Sequence, residues 1–243
     1  MKLEPFKISE HNEHYEGVYE PRMMEWRRLG AVDKVRNIQA LLGKRAVSSI
    51  LEVGCGTGDL LVELARRGIG SSHVGIDLAD PTHHATNISG EIELLSYDGV
   101  TLPFPDGHFD LVIASHVVEH VPNPRGFIGE LARVSRDVVY IEVPCDAHVR
   151  ASSRLVQLGL DIGHINAYTP EYFLVLLQTS EVEVLEFEWF DHSFDVHKFG
   201  KSTVTAYAHM ALRRGLLALN PVLASRLFCY HCAALVRRHT LSA

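Results

Sequence analysis

Three glycines, Gly54, Gly56 and Gly58, punctuate "ILEVGCGTGDLL" (residues 50–61), between an apolar run and a helix-like one. Glycine lets the backbone take positive φ and lets a ligand approach closely. The helix that follows offers unpaired N–H groups and a positive dipole end. Two ligands are held at such turns, a phosphate-bearing dinucleotide and S-adenosylmethionine. The dinucleotide pattern is G-x-G-x-x-G. Here the spacing is G-x-G-x-G, and position 59, where the third glycine would fall, is Asp. A carboxylate in the first helical turn repels a pyrophosphate. S-adenosylmethionine has no phosphate and carries an ammonium and a sulfonium, so acidic neighbours favour it. Glu52, two residues before the first glycine, can attract that cationic part directly or through water.

Asp77 ends the next apolar run, where a carboxylate can accept both ribose hydroxyls of either ligand. Asp98, in "SYDGV", follows the third run and can accept from an adenine amino group. A lone Asp is commonly a turn residue, but three acidic residues at successive strand ends, all on one sheet edge, weigh against that reading. Two histidines can serve as a general base near neutral pH: His116 in "ASHVVEH" and His164 in "DIGHINAYTP". The plainer alternatives are a cofactor-shelf role for His116 and a loop-bracing bond for His164. Glu119 and His120 read as structural. Cys229 and Cys232 form a lone CxxC, with His231 and His239 nearby but no second pair, against the four ligands of a structural zinc site, so no metal is expected.

These residues need elements to hold them. A helical pattern runs from Pro21 to Leu42, with Val35, Ile38 and Leu42 on one face. Gly30 is positioned to break it. Strands are expected at 50–53, 73–77, 91–96, 109–115 and 137–143. Between them lie a helix over 57–67 and one capped by Asn123-Pro124 and running to about Val134. This rhythm predicts an α/β fold, a doubly wound, mostly parallel sheet with helices on both faces. Right-handed crossovers then bring every strand's C-terminal loop to one edge, where ligands bind. Thr169-Pro170 caps a further helix. Residues 181–190 alternate with a slip between Val184 and Leu185, which predicts a β-bulge. A last strand is expected over 228–236. Nearly forty residues separate these two strands, with helices expected over 203–214 and from Asn220-Pro221, too long for a hairpin.

The bulk numbers bound the classes. The chain has 243 residues and a formal charge of −7 with neutral His, which disfavours nucleic acid as partner. No apolar run of about 18 residues occurs, so no membrane span is expected. The start, MKLEPFKISE, lacks a signal-peptide stretch, and four scattered cysteines suit a reducing, cytoplasmic chain.

"LEVGCGTGDLL", "VGIDLAD", "YDGVTLPFPDGHFDLVIASHVVEHV" and "FIGELARVSRDVVYIEVP" together resemble class I S-adenosylmethionine-dependent methyltransferases. They resemble in particular the small-molecule enzymes related to those of ubiquinone and menaquinone biosynthesis. The resemblance covers roughly residues 48–190. It implies a Rossmann-like seven-stranded sheet with an antiparallel last strand and a helical N-terminal lid. The expected layout is one domain over 1–243: arm and lid 1–46, core 47–190 and 228–240, and an insertion or cap 191–227. It implies methionine-part contacts from Glu52 and Gly54-Cys55-Gly56, and ribose contact from Asp77. Adenine contacts fall to Leu78, Asp98 and Gly99, with Ser115 and His116 beneath the sulfonium. Lid and substrate candidates are Tyr15, Tyr19, Arg22, Trp26 and Tyr168; simple packing is the alternative for Trp26. Amino-methylating enzymes carry an (Asn/Asp/Ser)-Pro-Pro-aromatic stretch where this chain has "ASHVVEH". The implied activity is methyl transfer to a small-molecule acceptor, a sugar or secondary-metabolite hydroxyl, with His116 or His164 as base. Transfer to nitrogen or carbon and a non-catalytic, regulatory cofactor-binding protein are the alternatives. The 191–227 insertion could wall a substrate pocket or form a homodimer contact.

Overall fold

The computed structural model describes residues 21–79 and 92–239. Tyr15, Tyr19 and the side chain of Arg22 lie outside the described residues. Helix α1 (Pro21–Leu42) leads into strand β1 (Ser49–Val53), helix α2 (Asp59–Arg66), strand β2 (Ser72–Asp77) and strand β3 (Ile92–Ser96). Strand β4 (Phe109–Ser115) is followed by a 3-10 turn, Val118–His120, then helix α3 (Pro124–Val134) and strand β5 (Ser135–Pro144). Helices α4 (Ser153–Asp161) and α5 (Pro170–Gln178) precede strand β6 (Val182–Phe190). Helices α6 (Phe194–Lys198), α7 (Thr203–Leu219) and α8 (Pro221–Leu227) fill the connection to strand β7 (His231–Arg238).

The seven strands form one sheet in the order β3-β2-β1-β4-β5-β7-β6. β7 pairs antiparallel with both β5 and β6, and the other pairings are parallel. Side-chain alternation divides the core into two layers. Leu51, Val53, Val112, Ala114, Val139 and Ile141 pack against Phe127 and Leu131 of α3 and Phe173 and Leu176 of α5. Ile50, Leu111, Ile113, Val138 and Tyr140 face Val35 and Ile38 of α1 and Leu60, Leu61 and Leu64 of α2. Near the C-terminal ends of β1, β4 and β5, the α1 side of this alternation changes from apolar to polar, with buried Glu52, Ser115 and Glu142.

Local signals behave as their chemistry dictates. Asn123 and Thr169 accept from Gly126 N and Tyr172 N at the starts of α3 and α5. The expected bulge is present, with the β6–β7 register shifting between Val184 and Glu186. Several boundaries differ from expectation. Gly30 does not break α1, which runs through it, with Ala31, Val35 and Ile38 burying the face that follows the glycine. α7 likewise passes Gly215 and ends at Leu219. The last strand begins at His231, not Phe228. Phe228 and Tyr230 instead pack their rings on the Arg213 guanidinium, with centroids 5.3 and 4.4 Å from Cζ. Cys229 is therefore outside the strand. Cys232 meets Cys145, Sγ to Sγ 2.9 Å, and Cys229 does not pair with it.

Candidate active site

Strand order reverses between β1 and β4, which opens a crevice at their C-terminal ends. The glycine turn lies there, with φ of 77°, 54° and 74° at Gly54, Gly56 and Gly58. Gly58 caps α2 in the left-handed region, so the helix starts at Asp59 and not at Thr57. The N–H groups of Gly54 and Cys55 donate to the Ile76 carbonyl at 2.8 and 3.1 Å. Gly56 N donates to Asp77 Oδ2 at 2.7 Å. The turn and the end of β2 are thus one unit, and Asp77 keeps further lone pairs for hydroxyls. The Arg27 guanidinium lies over Gly56.

Glu52 is 4% exposed, and its Oε2 has no hydrogen-bond partner. Burial pushes its carboxyl up to about 8, with Lys34 opposing and Asp77 and Asp59 adding. A buried acceptor left without a donor costs about 1–3 kcal/mol, so this carboxyl suits a cationic ligand. Cys55 is buried beside it. Leu78 rests on Gly99, where a Cβ would come within 2.5 Å of Leu78 Cδ2. Asp98 Oδ1 accepts from Val100 N and Thr101 N at 2.8 and 3.0 Å, so one of its oxygens builds its own turn.

At the end of β4, His116 has φ of 61°. For a non-glycine residue this costs about 1–3 kcal/mol, and such strain persists where the surroundings enforce it. His116 N donates to the Glu142 carbonyl at 2.9 Å. Its Nε2 lies 3.4 Å from His231 Nδ1. Its Nδ1 lies 3.6 Å from Glu119 Oε1. Enclosure by protein, with Lys34, His231 and His192 nearby, holds His116 well below the ordinary histidine range. Glu142 Oε2 accepts from Tyr140 OH at 2.6 Å and Ser115 Oγ at 3.3 Å, and Oε1 from Asn37 Nδ2 at 3.2 Å. His231 Nδ1 sits 2.9 Å from the same Oε1. Burial alone would raise Glu142, but His231, Lys34 and Tyr140 bring it down to about 2. Lys34 Nζ donates to the Ser115 carbonyl at 3.2 Å.

A second group lies between the ends of β4 and β5. His164 Nδ1 meets Asp146 Oδ2 at 2.8 Å. Cys229 Sγ donates to Asp146 Oδ1 at 3.1 Å. Burial lowers His164, but the Asp146 bond and the charges of Glu119 and Asp146 outweigh it, and its pKa is raised. The His120 ring is edge-on to His164 at 4.9 Å, and its Nδ1 donates to the Gly163 carbonyl at 2.9 Å. Glu119 is 1% exposed with both oxygens unpartnered, and burial pushes it up to about 7. Tyr168 is buried against Phe173, 6.0 Å between ring centroids, with its hydroxyl unpartnered. A cleft of about 350 Å³ opens beside Asp146, lined by Ala147, Thr169, Tyr172, Ser225 and Arg226 among others.

The structure therefore brings Glu52, the glycine turn, Asp77, Leu78, Asp98, Gly99, Ser115 and His116 to one edge, with His164 on the same edge. Trp26 packs on the connection between β6 and β7, its ring 5.2 Å from Phe199 and 6.0 Å from His192. Sequence reasoning missed Lys34, Glu142 and Asp146, noted His231 only as a neighbour of the Cys229–Cys232 pair, and read Glu119 and His120 as structural. Their partners lie far away along the chain, and only His231 left a signal: an antiparallel last strand begins at the ligand edge. Among the described residues, donor atoms of His116, Glu142 and His231, and of Glu119, His120 and His164, lie within 4.8 Å of one another.

A family model described as a methyltransferase domain matches residues 24–186. The demethylmenaquinone methyltransferase of Thermus thermophilus is 35% identical over 116 residues, covering 46% of this chain and 49% of that protein. The matched stretches span only 26% to 49% of the curated relatives compared, which include N-, O- and C-methyltransferases. A solved [4+2]-cyclase, SpnF, has the same fold at 18% identity and a TM-score of 0.59, over 85% of this chain and 81% of that one. Haemonchus contortus phosphoethanolamine N-methyltransferase 2, solved with S-adenosylhomocysteine, gives 13% identity and a TM-score of 0.60, over 84% of this chain and 52% of that one. No helix among the described residues is long and apolar enough to cross a membrane. With the glycine turn at the β1/β4 crevice and the family match over most of the sheet, the chain belongs to the methyltransferase domain family, of the class I S-adenosylmethionine-dependent type.

Proposed function

We propose that this chain transfers the methyl group of S-adenosylmethionine to a hydroxyl oxygen of a small molecule, of sugar or secondary-metabolite type. The observation that carries the choice of oxygen is the Asp146–His164 pair, with Nδ1 held at 2.8 Å so that Nε2 is the basic nitrogen. Glu52 supports the cofactor, because its unpartnered oxygen suits the methionine ammonium. Arg27, over Gly56, is placed for the methionine carboxylate. Asp77 takes the ribose hydroxyls, with Leu78, Asp98 and Gly99 around the adenine and Ser115 beneath the sulfonium. In the reaction the acceptor oxygen forms a bond to the methyl carbon as the carbon–sulfur bond breaks. The sulfur keeps that electron pair and the hydroxyl proton passes to His164 Nε2. The sulfonium is already a good leaving group, so alignment and exclusion of water supply most of the rate. The core over 47–190 and 231–238 holds the cofactor, and the 191–227 segment walls the acceptor side.

Calorimetry with S-adenosylhomocysteine, with NAD in parallel, tests the cofactor. Glu52 is held at about 8 in the free protein, and the arriving ammonium favours its carboxylate. Binding at pH 6.5 is therefore expected to release about one proton, read from buffers of different ionisation heat, by linkage. Release vanishes in Glu52→Gln. NAD binding alone, or uptake of a proton, would sink the cofactor assignment. A methyl-transfer screen over hydroxylated acceptors then tests the oxygen. Asp146→Asn is expected to move the His164-controlled limb of the rate profile to lower pH, since the carboxylate that raises His164 is gone. An unmoved limb would show that His164 is not the base.

A further inference from the structure

We propose that His116, Glu142 and His231 form a binding site for a divalent cation of the zinc class, at the meeting of β4, β5 and β7. His231 Nδ1 lies 2.9 Å from Glu142 Oε1 and 3.4 Å from His116 Nε2, and these two lie 3.9 Å apart. His231 Nδ1 carries at most one hydrogen, so it cannot give a full hydrogen bond to both neighbours. The point equidistant from the three atoms lies about 2.0 Å from each, within the range of zinc–nitrogen and zinc–oxygen bonds.

The surroundings are those of a ligand set. A metal-binding side chain is normally fixed by outer partners. Glu142 is held by Asn37, Tyr140 and Ser115, all neutral donors, with distances of 3.2, 2.6 and 3.3 Å. Behind His116, its other nitrogen faces the Glu119 carboxyl at 3.6 Å. His116, at a φ of 61°, presents its ring to Glu142 and His231. Lys34 is the competing cation of this edge, and its Nζ is directed at the Ser115 carbonyl. Two imidazoles and one carboxylate are the protein ligands of catalytic zinc sites that keep a fourth position for water or substrate. Here that position would take the acceptor oxygen; this use of the ion rests on the methyl-transfer reading, but the site itself does not.

The test uses the full chain, stripped with a chelator and titrated with Co²⁺ followed by its visible spectrum, and with Zn²⁺ by calorimetry. One ion per chain is expected. X-ray absorption of the zinc form should show two imidazole nitrogens and one carboxylate oxygen at about 2.0–2.2 Å. His231→Ala and Glu142→Gln are expected to weaken binding by at least about 100-fold, more than loss of an outer partner does. His164→Gln should leave binding in place. If the buried Glu142→Gln variant does not fold, His231→Ala and the absorption spectrum of the unaltered protein still decide. No saturable binding by the folded protein overturns the proposal. So does binding that survives His231→Ala and is lost in His164→Gln, which would place the ion on Glu119, His120 and His164. S-adenosylhomocysteine binding by the stripped protein is measured separately, so a failed cofactor assignment is distinguishable from a failed metal site.

Discussion

Asp77→Ala is expected to weaken S-adenosylhomocysteine binding by about 10²- to 10⁴-fold. Hydrogen bonds to a charged acceptor contribute about 1.5–3 kcal/mol each, and two ribose hydroxyls are at stake. The same carboxylate anchors Gly56 N at 2.7 Å, so its loss also frees the turn that shapes the methionine end. Asp98→Ala should cost less. Asp98 Oδ1 is engaged with Val100 N and Thr101 N, leaving one oxygen for the adenine amino group. The ordering, Asp77 well ahead of Asp98, is checked by calorimetry on both variants with thermal melts as a folding control. Comparable affinity in Asp77→Ala and the unaltered protein would remove the ribose assignment and with it the present placement of the cofactor.

The β1–turn–α2–β2 unit was legible because its signals are local. An apolar run, glycines at fixed offsets and a following amphipathic helix are all read within about two dozen residues. The caps at Asn123 and Thr169 were legible for the same reason, and so was the bulge, since a phase slip leaves its mark on the pattern. The histidine clusters of this edge were half legible. His116 and His164 were found because they follow strands that end on the ligand edge. Their partners were not, because Glu142 and His231 are 89 residues apart in the chain and meet only through β5–β7 pairing, where Pro144 stands opposite His231. The antiparallel sense of the last strand was expected, and it places the first residue of that strand on the ligand edge. Reading the strand from Phe228 concealed this. An apolar, aromatic run looks like strand by pattern alone, while here Phe228 and Tyr230 serve a cation. Trp26 was similarly ambiguous, since a lid aromatic and a packing aromatic have the same signature in sequence.

That cation is the centre of the second large effect. Arg213→Ala is expected to destabilise the protein by about 3–5 kcal/mol, the cost of breaking a buried ion pair by removing one partner. Arg213 Nε and Nη2 reach Asp191 Oδ1 at 2.8 and 2.7 Å, and Nη2 also donates to the Cys229 carbonyl at 2.6 Å. His197 Nε2 lies 3.1 Å from Asp191 Oδ2, and Tyr230 OH donates to the Arg213 carbonyl at 2.8 Å. This set ties α7 to the end of β6 and to the start of β7, so it fixes the β6–β7 connection. At about 2–4 °C per kcal/mol for a chain of this size, the melting temperature should fall by about 6–20 °C. Asp191 supplies the sign with pH. Burial would raise its carboxyl above the ordinary 3.8, but His197 and Arg213 bring it to about 2. Its contribution is complete above its unfolded value and is lost as pH falls through the folded one, so the gap between the variant and the unaltered protein should narrow on acidification toward pH 2. Removing Asp191 as well takes away the orphaned charge, and the double variant should lose less than the two single losses combined. A melting temperature within about 3 °C of the unaltered protein in Arg213→Ala would mean that the network sits on the connection without holding it, contrary to the cost of a broken buried pair.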